Sequence, residues 1–427
     1  MITFEEAFAR VFTKAKRFEA KAVALHQAVG GVLAENVKAA FPMPPFNKSA
    51  MDGYAVRAAD VKNVPVALKV EGVILPGKAF AKGIKKGCCA KIMTGAALPR
   101  GADCVVMVEN TRESEAPRSK AQGIFAEPSE APSAQRLAAK EGKKKGYVRI
   151  LKKARRWENV CFKGEDIRKG SIVLKKGTLM RPPEVAIAAS VGRMELRVYR
   201  KPKVAILNTG DEIIEPGRRR SPGKIYNSNG PMLYSHLIAM GIETEYLGIA
   251  RDKVKELKAS VKKGLASDIL ILSGGVSMGD YDLVPGVLKA CGVKEVFHKV
   301  SQKPAKPLFF GTRKGTIVFG VPGNPVSTFF VFCAYIRPAI EKMIGKDAGL
   351  PQAERGILRV DFRQKPGRKH FVPARAHREN GTLMVAPVSS YHGSADIASV
   401  VKANAFMIVD GDISFVKKGE AVEALLW

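Results

Sequence analysis

Acidic residues are scarce in this 427-residue chain: 40 Asp and Glu stand against 71 Lys and Arg, a formal net charge of +31. A surface so basic attracts anions, whether nucleic acid, acidic lipid, oxyanion or phosphorylated metabolite. Long apolar runs are missing too. The strongest, around Thr328 to Ile336, is too short to span a bilayer. No N-terminal stretch combines basic, apolar and small-residue regions, so no signal peptide is visible. The six cysteines have no paired zinc spacing and no density for a disulfide framework. A reduced, cytoplasmic compartment is the expectation. There is neither a P-loop nor a dinucleotide fingerprint. Aromatic residues barely interleave with the densest charge: between Arg118 and Arg156, 12 Lys and Arg face 3 Asp and Glu, with only Phe125, Tyr147 and the flanking Trp157 nearby. That disfavours nucleic-acid binding, and a solvated loop is the plainer reading.

What is present argues for several domains, since the hydrophobic content is 46% and the chain exceeds the size of one core. Residues 3–27 show helical spacing. Residues 28–150 read as short strands and loops, with 113–146 a long exposed loop. From 182 to 345 the pattern alternates. Apolar strands at Lys203–Leu207, Asp268–Leu272 and Thr316–Phe319 are each followed by a glycine-bearing polar loop, with helical stretches between them. This predicts a mostly parallel sheet that binds ligands beyond the C-terminal ends of its strands. Beyond 347 a small all-β domain is expected, with a hairpin at Glu379-Asn380-Gly381.

Several segments carry chemistry. In Ser49-Ala50-Met51-Asp52-Gly53-Tyr54 a carboxylate sits inside an apolar run, where it needs a partner, a metal or a reaction. Gly53 permits a positive φ or a close backbone approach to a ligand. Ser273-Gly274-Gly275-Val276-Ser277 offers converging N–H groups to an anion, or is an ordinary turn. Asp211, Glu212, Asp280 and Asp282 follow two apolar strands. Sharing one cleft, they would suit magnesium, with helix capping as the alternative for each. Lys303-Pro304-Ala305-Lys306-Pro307 holds two ammonium groups on a stiff segment suited to a dianion. Pro322-Gly323-Asn324-Pro325 closes the third strand. Asp166 follows Gly164-Glu165, and Glu184 opens an apolar helix, where dipole stabilisation alone would explain it.

Together and in this order, these motifs resemble the molybdopterin molybdenumtransferase (MoeA) family, similar also to the E domain of gephyrin and of its plant counterpart. Met93-Thr94-Gly95-Ala96 and Thr209-Gly210-Asp211-Glu212 belong to the same match, which runs through Val321 to Ser327. The resemblance implies a multi-domain α/β plus β fold: a central α/β domain like the molybdopterin adenylyltransferases (MogA/MoaB-like), a β-rich inserted domain and a C-terminal β-barrel. The implied domains are 1–27 with 155–181, 28–154, 182–346 and 347–427, in an elongated homodimer. The implied reaction inserts molybdate into adenylylated molybdopterin and releases AMP, with a molybdopterin adenylyltransferase as substrate donor and no membrane partner. Tungstate insertion and a non-catalytic molybdopterin-binding scaffold stay open as alternatives. By resemblance Asp52, Thr94, Asp166, Glu184, Asp211 and Asp282 are catalytic. Ser273, Gly274, Gly275, Ser277, Lys303, Lys306, Pro322, Gly323, Asn324 and Ser394 bind substrate or oxyanion. Asp211, Asp282 and Asn227 hold Mg2+. Three departures stand out: Asn227 where some members have Asp, Ala305 where Gly is usual, and Pro373 at the family's arginine position, for which Arg368 or Arg375 could substitute.

Overall fold

The computed structural model describes residues 1–114, 146–276, 283–346 and 349–427. The basic stretch 115–145, Ser277, Asp280 and Asp282 lie outside them. Two compact units form, one from Met1–Asn36 with Leu174–Trp427, the other from Val37–Val173.

The first unit is built on a six-stranded sheet in the order Glu243–Ala250, Lys203–Thr209, Ile269–Ser273, Thr316–Val321, Phe309–Arg313, Lys294–His298. The first four strands and Lys294–His298 run in one direction, and Phe309–Arg313 runs opposite to them. The central strands are apolar at nearly every position because both faces are covered. Ile206, Ile271 and Phe319 pack on one side with Leu233 and Leu237 of helix Asn229–Ala239. Ala205, Leu207, Leu270 and Val318 pack on the other with Leu257 and Val261 of helix Val254–Gly264. Parallel pairing sends Ala250, Thr209, Ser273 and Val321 to one edge. Phe309 opposes both Gly320 and His298, so the connection 299–308 returns to that same edge.

The C-terminal strands close into a barrel. Lys369–Glu379, Thr382–Pro387, Glu354–Leu358, Ala421–Leu426 and Ala405–Val409 pair in turn, and the last pairs back with the first. Alternate residues such as Val372, Ala374, Val385 and Met407 fill its interior. The expected hairpin is present: Glu379 opposes Thr382 across Asn380 and Gly381, both at positive φ (48° and 83°). Gln302–Lys303 adds to the barrel, pairing with Lys369 and His370, and so ties the lysine loop to it.

The N-terminal expectation needs correcting. The helix covers only Phe4–Lys14, opened by a Thr3/Glu6 capping box and buried through Phe4, Ala7, Phe8 and Val11. Ala20–Ala24 is a strand, paired with Glu195–Tyr199. Its alanines favour helix, but a long-range partner overrides local propensity.

The second unit contains a six-stranded sheet ordered Cys104–Met107, Gly53–Val56, Cys88–Ile92, Val66–Ile74, Tyr147–Ile150, Thr111–Ser114. Tyr54, Val56, Leu68, Val106, Val148 and Ile150 pack one of its cores.

Candidate functional site

At the C-terminal edge of the α/β sheet the strands end in glycine loops drawn tightly together. Gly274 has φ +99°, and a Cβ there would lie 2.3 Å from Thr209 O. Its N–H donates to Val321 O, so the loops after three neighbouring strands touch. Asn229 fastens them from the helix above: its Nδ2 donates to Ser273 Oγ (2.8 Å) and to Gly323 O (2.7 Å). Its own Oδ1 and both amide atoms of Asn208 are buried without a partner among the described residues. Buried amides left unpaired are costly, and at a strand edge they offer donors and acceptors to a ligand. Asn208 and Asn229 are site residues that sequence reasoning passed over. Their signal was faint, an Asn ending an apolar strand and another opening a helix.

Among the carboxylates at this edge, Asp211 meets Asp252, from the loop after Glu243–Ala250, a residue the sequence did not point to. Asp252 Oδ2 accepts the Asp211 N–H (3.1 Å), Asp211 Oδ1 accepts the Asp252 N–H (3.3 Å), and Thr209 Oγ1 donates to Asp252 Oδ1 (2.7 Å). Lys224 Nζ donates to the Asp211 carbonyl. Two exposed carboxylates held by backbone and hydroxyl bonds keep lone pairs for a hard cation. Magnesium is usually held by one or two carboxylates plus substrate phosphates, so this donor set fits it. Asn227 does not join them. It is buried, its Oδ1 accepts the Gly230 N–H (3.0 Å) and its Nδ2 donates to Tyr246 Oη (2.7 Å), so its amide is committed to holding the helix start. Asp282 lies outside the described residues, as does Ser277.

The lysine loop rims the same edge. Lys303 and Lys306 are exposed, and Lys299 shares the connection. The loop hangs on buried Gln302, whose Nε2 donates to Ala305 O (3.1 Å) and whose Oε1 accepts from Tyr335 Oη (2.5 Å). Ala305 is buried at φ +64°, so the usual glycine would have been conformationally easier here. Arg368 reaches the loop, donating from Nη1 to Gln302 O (3.0 Å), while Arg375 is an exposed residue of the strand Lys369–Glu379 that follows it. Pro373 lies inside that strand opposite Phe406. Beside this cationic group, burial pushes His370 down to about 3, with the charges of Lys303 and Arg368 adding to the effect. Asn324 Nδ2 donates to Ser394 Oγ (2.8 Å), and Val326 N–H to Ser394 O (3.0 Å), so the barrel serine meets the third glycine loop.

In the second unit, Asp52 and Thr94 come together. The Asp52 carboxylate accepts from Thr94 N (2.7 Å) and Thr94 Oγ1 (2.9 Å), and these bonds hold its pKa below the ordinary value. Asp52 is exposed, not buried as its apolar context suggested. Gly53 serves close approach to a strand and not to a ligand: a Cβ would lie 2.0 Å from Val106 O. Asp166 is also exposed. In the first unit, Glu184 is clasped by Arg181 at 2.5 Å, which draws its pKa down to about 2, and it accepts the Arg181 N–H (3.0 Å) as a helix-start bond.

The fold and the site define a class: a multi-domain α/β protein whose glycine-loop edge is furnished for phosphate-bearing ligands and joined to a β-barrel. Known proteins make this specific. Residues 2–192 match the family described as MoeA N-terminal region (domain I and II), 205–342 the probable molybdopterin binding domain, and 355–427 the MoeA C-terminal region (domain IV). The molybdopterin molybdenumtransferases of Staphylococcus epidermidis and Bacillus subtilis are 31% and 32% identical to the chain, covering 100% of it and 95% and 94% of themselves. A crystal structure of the MoeA molybdopterin biosynthesis protein from Pyrococcus horikoshii superposes with a TM-score of 0.78 at 29% identity, covering 100% of this chain and 99% of its own. The chain belongs to the molybdopterin molybdenumtransferase family.

Proposed function

We propose that this enzyme of molybdenum cofactor biosynthesis inserts molybdenum from molybdate into adenylylated molybdopterin, with cleavage of the phosphoanhydride by water and release of AMP. The observation that carries the reading is the convergence, on one sheet edge, of tight glycine loops, the Asp211–Asp252 pair and the Lys303/Lys306 loop. Backbone N–H groups and unpaired amides of Asn208 and Asn229 suit a polar heterocycle and its phosphate. Lys303, Lys306 and Arg368 suit an oxyanion, with Asn324 and Ser394 beside the third loop. Asp211 and Asp252 would hold a magnesium ion, which would supply charge neutralisation for a pyrophosphate group.

Asp52, Thr94, Asp166 and Glu184, and Ser277 and Asp282 beyond the described residues, keep in this reading the roles the family resemblance implies. So do the four-domain division, a homodimer, a molybdopterin adenylyltransferase as donor and a cytoplasmic location. The test is AMP release from adenylylated molybdopterin with magnesium, with and without molybdate or tungstate. Wild type should release AMP in an oxyanion-dependent way, and Asp211→Asn and Asp252→Asn should each lose most of it. Folded protein that releases none with either oxyanion would refute the reading, and release with tungstate alone would change the metal.

A further inference from the structure

The strand Lys203–Thr209 begins at the sheet edge opposite the glycine loops. There a cavity of about 350 Å³ is lined by residues of the paired strands Ala20–Ala24 and Glu195–Tyr199 and by Gly241 and Glu243. Four cations line it: Lys21, Arg200, Lys201 and Lys203. Two are neutralised. Arg200 donates twice to Asp268 (2.7 and 3.0 Å), and Lys203 pairs with Glu243 (2.7 Å), the one carboxylate in the lining. Lys201 has no carboxylate partner among the described residues. It is half-buried, and burial lowers its pKa, with the charges of Lys21 and, less, Lys346 adding to the effect. Its Nζ lies over backbone where there is no side chain: a Cβ on Gly241 would sit 2.8 Å from it and one on Gly30 3.6 Å. A desolvated ammonium facing like charges is unfavourable unless an anion completes the group.

We propose that this cavity binds a phosphate-type oxyanion, free or as the terminus of a small phosphomonoester, held by Lys201 and Lys21. The volume lies at the small end of ligand pockets, roughly 300–1,000 Å³. Lys346 meets Glu341 at 3.2 Å and so adds little charge of its own. The position on the opposite edge makes the site separate from the one that carries the proposed reaction.

The experiment is isothermal titration calorimetry on the full chain carrying Lys303→Met and Lys306→Met, which removes the oxyanion lysines of the other edge. Inorganic phosphate and glycerol phosphate are the probes, at fixed ionic strength in chloride. Saturable binding is expected, weakened about tenfold or more by Lys201→Met and by Lys21→Met on that background. Lys201→Met keeps the aliphatic stem and removes a desolvated charge, so it should melt no lower than its parent, which separates lost binding from lost folding. Lys21 is exposed, and its variant provides the second reading. Tighter phosphate would mark a free ion as the ligand, and tighter glycerol phosphate an ester. Binding unchanged in both variants, or absent from the parent, overturns the proposal.

Discussion

Replacing Gly274 with alanine tests whether the glycine loops are as tightly drawn as described. Two costs add. A side chain at φ +99° sits in the left-handed region, which costs about 1–2 kcal/mol for a non-glycine residue. The new Cβ would also lie 2.3 Å from Thr209 O, a backbone atom of the adjacent strand that cannot swing aside. Overpacking of this kind costs about 1–3 kcal/mol, for a total of about 2–5 kcal/mol. Gly177→Ala is the control, because its φ is +90° and a Cβ there meets nothing within 4 Å. It carries the first cost without the second. At roughly 2–4 °C per kcal/mol for a large domain, Gly274→Ala should lower the melting midpoint by about 4–20 °C. Gly177→Ala should fall by only the smaller part of that. Differential scanning calorimetry of the two variants, run beside wild type, reads the difference directly. If Gly274→Ala melts together with Gly177→Ala, the loop is free to give way, and the close approach of the strands is wrong.

Two further outcomes follow from the site. Thr94→Val removes the hydroxyl bond to Asp52 and leaves the backbone N–H bond, so the Asp52 pKa should rise part of the way toward its ordinary value of 3.8. Because that pKa is depressed, the stabilisation it carries is present above the unfolded value and lost as the pH falls through the folded one. NMR titration of the carboxyl in both proteins checks this, and an unmoved Asp52 would contradict it. Ala305→Gly balances opposing terms: relief of about 1–2 kcal/mol at φ +64°, against about 0.8 kcal/mol for the buried methyl and about 0.4–1 kcal/mol of unfolded-chain entropy. The net should be near zero, whereas Ala305→Val, β-branched in the left-handed region, should be clearly destabilised in the same melts.

Much of the site was legible because it is local. An apolar strand followed by Gly-Gly, or Pro-Gly-Asn, reports its own ending, and three such strands joined by helical stretches fix the sheet edge where ligands bind. The hairpin at Asn380-Gly381 was readable for the same reason, since two residues at positive φ need only themselves. Where a residue's partner lies far along the chain, reading failed or went astray. Asp252 is unremarkable in sequence and meets Asp211 only because the strands before them are neighbours. Asn227 resembled a ligand until Gly230 and Tyr246 claimed its amide. The alanine-rich 20–24 segment read as helix until Glu195–Tyr199 paired with it.

The sequence by itself determined the family resemblance, the alternation that makes the doubly covered sheet, the excess of positive charge and the positions of the glycine loops. These follow from local spacing and residue type, which no tertiary contact can alter. Only the tertiary structure decided that Gly53 makes room for a neighbouring strand, that Asp52 is exposed beside Thr94, and that Arg368 meets the lysine loop. It alone placed Lys201 with Lys21 on the far edge of the sheet. Each of these depends on residues brought together by strand order and register, and hydrogen bonds and charges act over ångströms in space, whatever their separation along the chain.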